Sequence, residues 1–368
     1  MKKSVGEKIL LCVFITVICL SVPGWFLFGH LLDNSNEENR EWAERPVLTA
    51  ETYDVFAADF TSYFNDRLPF RNALISINSG IDYFLFRRST NPQVIVGNDG
   101  WLFYDRSDDG DPMSGYRGDD LFSEEELHRI AQNCMEQRDH LKQEGKEFVL
   151  FIVPGKERVY AEHMPRWMGG PAEEYGALQV YKYLKKNTDI IIVYPYQDMT
   201  DAKQETDAAL YYKTDTHWTS VGAYAGCRSL LKERGIEMPL LRELRIEENG
   251  SFSGDLAGML NLKKLLSDTD STYAIDGYDT HQATRIKNSY KESYIYHAEN
   301  ADRRKAYVIR DSFGTNMAPI IGSQFNDTVL RHKNTYSYDD LLEQDPDIVI
   351  LETADRYIDR LADFSIRQ

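Results

Sequence analysis

Two side chains that can share a proton stand two residues apart in Tyr212-Lys213-Thr214-Asp215-Thr216-His217-Trp218-Thr219. In an extended segment alternate residues project to one side, so Asp215 and His217 are expected to point into one cleft. A carboxylate beside an imidazole fixes its tautomer and stabilises the imidazolium formed on proton transfer, so the pair suits a general base. A base of this kind needs a nucleophile. The strongest candidate is Ser312 in Val308-Ile309-Arg310-Asp311-Ser312-Phe313-Gly314, directly after an apolar run. A serine at the turn from strand to helix sits among free backbone N–H groups that stabilise a developing oxyanion, and Gly314 is expected to let the chain turn tightly. Alone, an Asp-x-His is more often a satisfied surface or core pair, and a strand-end serine is more often a helix cap. Together they supply nucleophile, base and orienter for acyl transfer.

The elements that must position these residues are legible as alternating runs. Val94 to Phe103 around Asn98-Asp99-Gly100 reads as a β-hairpin. Ser123-Glu124-Glu125-Glu126 is a capping box opening a helix that runs to about Gly145. Phe148 to Val153, Ile190 to Tyr194, Lys305 to Arg310, Thr328 to Leu330 and Asp347 to Leu351 are continuous apolar runs, as parallel strands buried on both faces should be. A helical stretch from Pro171 to Thr188 and a helix opening near Ser220 separate them. The expectation is an α/β fold, an α/β/α sandwich with a mostly parallel sheet and site residues where strands end. Tyr53, Phe56, Phe60, Tyr63 and Phe64 recur at helical spacing and predict a packed helix before it.

The chain of 368 residues has a formal net charge of -17, which excludes nucleic acid as a partner because phosphate binding needs a concentrated basic surface. It also makes a strongly anionic polymer an awkward substrate, whereas a neutral glycan is easier. From Ile9 to Leu32 the chain carries no formal charge and is long enough for a transmembrane helix. Lys2, Lys3 and Lys8 precede it and Asp33, Glu37 and Glu38 follow, placing the remainder outside the cytoplasm at a cell membrane. A cleaved signal peptide is the alternative, less suited to so long an apolar stretch without a small-x-small site. The expected organisation is residues 1–32 as cytoplasmic tail and anchor, 33–90 as linker and helical lead-in, and 91–368 as the catalytic domain. Cys134 and Cys227 are read as buried thiols ahead of a disulfide, no CxxC or Cys/His cluster supports a metal, and no cofactor is implied.

On Glu38-Asn39-Arg40 with Pro46, Gly100-Trp101-Leu102-Phe103, Pro154-Gly155-Lys156, the block Thr214 to Thr219, Asp311-Ser312-Phe313 and the strand Asp347 to Glu352, the chain resembles the SGNH hydrolase-like proteins of the AlgJ/AlgX type, also called the DHHW family. The resemblance implies an SGNH-like fold, participation in O-acetylation of secreted polysaccharides, Ser312 as nucleophile, His217 as base and Asp215 as its orienter. The sequence departs from the SGNH pattern in two ways. Arg310 stands where a Gly-Asp-Ser motif has glycine, and no Gly-x-Asn block supplies a second oxyanion donor. Lys156, Trp218 and Arg310 are candidate substrate contacts, against a solvated lysine and a packing tryptophan. Gly254-Asp255-Leu256 contains no nucleophile and reads as a turn, and His128, His140 and His163 have no matching partners.

Three functions fit these residues. An acetyltransferase would pass an acyl group from Ser312 to a glycan hydroxyl, and an esterase would pass it to water. An idle glycan-binding scaffold would do neither. A single span cannot carry an acyl group across a bilayer, so a transferase needs a separate membrane-bound O-acyltransferase as donor.

Overall fold

A computed structural model describes residues 5–28, 42–66, 71–291 and 293–367. It divides into two compact units, Met1–Thr90 with Gly258–Leu265, and Asn91–Ala257 with Leu266–Gln368. The first contains helices α1 (Val5–Phe28), α2 (Phe56–Asp66) and α3 (Arg71–Phe86). Among the described residues no helix is long and apolar enough to cross a membrane. Residues 29–32 of the expected span and the Glu38-Asn39-Arg40 motif lie outside the described residues. Helix α2 forms where the aromatic spacing predicts it, and Phe56, Phe60 and Phe64 stack along it at centroid separations of 5.9 and 6.4 Å. None of its residues is buried, contrary to the expected packing.

In chain order the rest comprises β1 (Val94–Val96), β2 (Leu102–Tyr104), α4 (Pro112–Arg117), α5 (Glu124–Gln143), β3 (Glu147–Val153), α6 (Lys156–Val159), α7 (Gly176–Asn187), β4 (Ile191–Val193), α8 (Tyr196–Ala202) and α9 (Ser220–Lys232). After these come β5 (Arg245–Phe252), α10 (Asp255–Met259), β6 (Asp270–Asp276), β7 (Thr284–Asn288), β8 (Ser293–His297), β9 (Asp302–Arg310), α11 (Gly314–Gly322), β10 (Phe325–His332), α12 (Tyr338–Gln344) and β11 (Ile348–Ala354). Helix α5 starts on the capping box, with Ser123 Oγ accepting from the Glu126 N–H and the Glu126 carboxylate accepting from the Ser123 N–H.

The principal sheet has seven strands in the order β4-β3-β11-β9-β10-β8-β7. The apolar runs divide their side chains between its faces. Val149, Phe151 and Val153 join one core with Val308, Ile350 and helices α9 and α11, while Phe148, Leu150 and Ile152 join another with Ile309, Val349 and helices α5 and α7. Both faces are therefore covered, which is why these strands read as unbroken apolar runs.

The sheet is mixed rather than simply mostly parallel. Strands β4, β3, β11, β9 and β10 run parallel, but β8 pairs antiparallel with β10, and β7 with β8. Strand β7 is exposed along its whole length and lacks apolar periodicity, so its sequence carried no strand signal. A separate hairpin of β5 and β6 is likewise mostly polar. Because the five strands are parallel, the segments after β3, β9 and β11 emerge at one edge, and these hold Lys156, Ser312 and Arg356.

Candidate active site

The loop bearing Asp215 and His217 is not an extended strand. It is closed at its base by an isolated bridge between Tyr211 and Trp218, and the Thr219 N–H donates to the Leu210 carbonyl at 2.9 Å. Asp215 faces His217 because its Oδ1 accepts the His217 backbone N–H at 2.9 Å, the two-residue reach typical of an aspartate turn. The same Oδ1 accepts from His217 Nδ1 at 2.6 Å, and Asp215 Oδ2 accepts from the Asp255 N–H at 2.8 Å. On its other side, the imidazole Nε2 lies 2.8 Å from Ser312 Oγ. Nδ1 thus carries the proton and Nε2 is free to accept the serine O–H.

Ser312 occupies the turn between β9 and α11, fixed by its neighbour. Asp311 Oδ1 accepts from the Phe313 N–H at 2.8 Å, its Oδ2 from the Ala354 N–H at 3.0 Å, and its own N–H donates to Glu352 at 2.8 Å. Burial and the Asp311 charge raise the Glu352 pKa well above the usual 4.5. Two further bonds brace the serine turn against the histidine loop. Trp218 Nε1 donates to the Phe313 carbonyl at 2.9 Å, and the Asn316 amide donates to the Trp218 carbonyl at 2.8 Å.

Burial of the His217 ring opposes its protonation, but the hydrogen bond and charge of Asp215, with the charge of Asp255, outweigh it and raise the pKa above 6.5. Asp215 is itself buried, yet the bond and charge of His217 hold its pKa below 3.8. The side chain of His217 is 28% exposed and that of Asp215 9%. The imidazole therefore meets solvent while Asp215 is almost enclosed.

The structure brings Asp215, His217 and Ser312 together and buries the three candidate substrate contacts around them. Lys156 is buried, and its Nζ donates to the carbonyls of Leu102, Lys213 and Asp215 at 2.6, 2.9 and 2.8 Å. Burial pushes its pKa down to about 8. Its three bonds hold the loop, so it is not the solvated lysine of the alternative reading, and it lies at the wall of the cleft lined by Thr216 and Phe313. Trp218 has no exposed surface and serves as packing and brace. Arg310 is equally enclosed, donating to the carbonyls of Asp311 and Tyr290 at 3.0 and 2.7 Å beside the Tyr294 ring. Gly314 opens α11 rather than a special turn, and a Cβ there would lie 2.6 Å from Arg310 Cβ, so its smallness makes room for that arginine.

Two acidic residues that carried no local signal complete the loop. Asp270, on β6, accepts from the Lys213 and Thr214 N–H groups and the Thr214 hydroxyl. Asp255 belongs to a helix rather than the expected turn. Its Oδ1 accepts the Thr216 N–H at 2.9 Å and its Oδ2 the Thr216 hydroxyl at 2.7 Å. A Cβ on Gly254 would lie 2.3 Å from Asp215 Cβ, so only glycine lets the two segments meet. Ligand atoms of Asp215, His217 and Asp255 lie within 4.8 Å of one another, as a cation would require. Their oxygens and Nδ1 are already engaged in the hydrogen bonds just described.

The residues Cys134 and Cys227 are buried and unpaired, in the cores on opposite faces of the sheet. His163 is not isolated: its Nδ1 lies 3.1 Å from Asp99, beside the Trp101 ring.

The chain is similar to the probable alginate O-acetylase AlgJ of Pseudomonas aeruginosa, at 27% identity over 231 residues, covering 61% of this chain and 54% of that protein. It thus spans about half the length of the relatives it matches. Two solved structures share its fold. PatB1 of Bacillus cereus aligns with a TM-score of 0.52 and 14% identity over 74% of this chain and 99% of that one. A DHHW family protein from Eubacterium siraeum gives a TM-score of 0.52 and 13% identity over 75% and 100%. A family model for the SGNH hydrolase-like domain of acetyltransferase AlgX matches residues 94–295, more than half the chain, including Asp215 and His217 and ending before Ser312. The chain therefore belongs to the AlgX-type SGNH hydrolase-like family.

Proposed function

We propose that this protein is an extracytoplasmic O-acetyltransferase that acylates hydroxyls of a cell-surface or secreted polysaccharide through Ser312. The observation that carries the proposal is the unbroken run from Asp215 through His217 to Ser312, at 2.6 and 2.8 Å. His217 Nε2 takes the serine proton as Oγ adds to the donor's acyl carbon, and the imidazolium returns it to the departing group. The acyl-serine is then attacked by a glycan hydroxyl, deprotonated by the same imidazole. Asp215 holds the tautomer and stabilises the transient positive charge. Relatives named as alginate O-acetylases support a polysaccharide acceptor.

In this reading the apolar stretch from Ile9 tethers the domain to the cell membrane, and a multi-span membrane-bound O-acyltransferase supplies the acyl group. A second reading, a carbohydrate acetyl esterase, is favoured by the 28% exposure of the His217 side chain, which admits water as the acceptor. Incubating the protein with 4-nitrophenyl acetate, with and without oligosaccharides, and weighing released acetate against acetylated sugar separates the two. Ser312→Ala is expected to lower turnover by on the order of 10⁴-fold. Wild-type turnover with unchanged melting would instead leave a glycan-binding scaffold.

A further inference from the structure

An acyl-serine reaction places negative charge on the former carbonyl oxygen, and that charge needs donors. The Ser312 N–H has no acceptor among the described residues, so one donor is in place. The sequence offers no Gly-x-Asn block for a second. We propose that the second donor is the guanidinium of Arg356, an inference that rests on Ser312 acting as the acyl-accepting nucleophile.

The connection runs through the sheet. Strand β11 lies directly beside β9, with Ile350 opposite Val308 and Leu351 opposite Ile309, so the segments after them leave side by side. The Asp311 carboxylate then ties the two together by gripping Phe313 on the serine turn and Ala354 two residues before Arg356. Arg356 lines a narrow cleft with Thr216, Phe313, Gly155 and Ala354. Thr216 and Phe313 are the chain neighbours of His217 and Ser312. The cleft is therefore walled by the residues next to both reacting groups.

Burial opposes the guanidinium charge, but the Tyr357 hydroxyl and the charges of Asp311 and Asp109 outweigh it and keep Arg356 a cation. Its Cζ lies 5.4 Å from the Tyr104 ring centroid, 5.9 Å from Phe313 and 4.9 Å from Tyr357. Both tyrosines donate their hydroxyls to Asp109, at 2.9 and 2.8 Å, which fixes the ring box. Among the described residues no carboxylate closes an ion pair with Arg356, and its Nε is buried without a hydrogen-bond partner. A stacked cation with an unspent, desolvated N–H in a cleft that Phe313 and Thr216 line can serve as a preorganised anion receptor. Burial and the Arg356 charge oppose protonation of His217, against the larger pull of Asp215, which also puts Arg356 within electrostatic reach of the reacting groups.

As Oγ adds to the acyl carbon, the carbonyl π pair moves onto oxygen and accepts hydrogen bonds from the Ser312 N–H and Arg356. When the pair returns, the C–O bond to the leaving group breaks and the leaving oxygen takes the proton from His217. Arg356 neither gains nor loses a proton.

The test is hydrolysis of 4-nitrophenyl acetate by the full chain and its Arg356→Ala, Arg356→Lys and Ser312→Ala variants. For Arg356→Ala, kcat is expected to fall about 10²–10³-fold with KM changed less than about threefold, because the donor acts on charge present only in the transition state. Arg356→Lys, which keeps charge but not the fork, is expected to fall between. Added methylguanidinium is expected to restore part of the lost kcat, which a structural defect would not allow. Unchanged kcat in Arg356→Ala, or a loss wholly in KM, overturns the assignment. Should Arg356→Ala not fold, Arg356→Gln decides by the same criteria. Turnover retained in Ser312→Ala instead overturns the acyl-serine reading itself.

Discussion

His217 is pulled in two directions, since burial disfavours its charge while Asp215 and Asp255 favour it, and the outcome is a pKa above 6.5. As the base of the proposed reaction His217 works only when neutral, so activity is expected to be low below that pKa and to rise as pH passes through it. The acid limb of kcat/KM on an aryl acetate is therefore expected to have its inflection above pH 6.5. In Asp215→Asn the bond and charge that raise the pKa are lost, so the limb should move to lower pH. Its plateau should drop roughly 10³–10⁴-fold because the imidazole loses its tautomer and its stabilising charge. A pH series on both proteins checks this, and a limb that Asp215→Asn leaves in place would refute Asp215 as orienter. An Asp-x-His and a strand-end serine were readable because each has a local signature. Asp255, Asp270 and Arg356 were not: each is one ionisable residue, distant in sequence, whose meaning arises only from where the sheet delivers it.

The histidine loop and the serine turn are separate elements whose relative position depends on bonds between them. Trp218 contributes most directly, through its ring packing and the 2.9 Å bond to the Phe313 carbonyl. Trp218→Phe keeps an aromatic in the core but leaves that carbonyl unpaired, a stability loss of about 1–3 kcal/mol. Its kcat is expected to fall roughly tenfold or more, because small misplacement of reacting groups is amplified in rate. Melting curves beside kinetics check this. A stability loss with kcat intact would show that the two elements stay aligned by other means. The elements themselves were legible to different degrees. Buried parallel strands announce themselves by unbroken apolar runs, and α5 by Ser123 and Glu126. Strands β5 and β7 consist mostly of polar, exposed residues and are specified by their partners in the sheet. The burial of Lys156 and Arg310 was not legible, because a charged residue at a strand end carries no local sign of what it is packed against. Each donates to backbone carbonyls beneath the site.

On the scale of the molecule, the sheet separates two apolar cores, and each encloses one thiol. Burial pushes the Cys134 pKa up to about 12 and raises that of Cys227 as well. Neither can reach the other through the sheet, so no disulfide links them. Both are expected to resist alkylation in the native protein and to react in denaturant, which labelling followed by peptide mass spectrometry would show. Rapid native labelling of either would contradict the two-core arrangement. The strand order carries a consequence for biogenesis. Strand β11 follows both β3 and β9 in the chain, yet it lies between them in the interior of the sheet. Until it inserts, β9 has no neighbour on that side, and the Ala354 N–H that helps fix the Asp311 carboxylate is absent. A nascent chain emerging N-terminus first thus lacks one brace of its Ser312 turn until β11 is in place. Under the proposed acyl-serine reaction, competence therefore waits on insertion of β11 between two strands made before it.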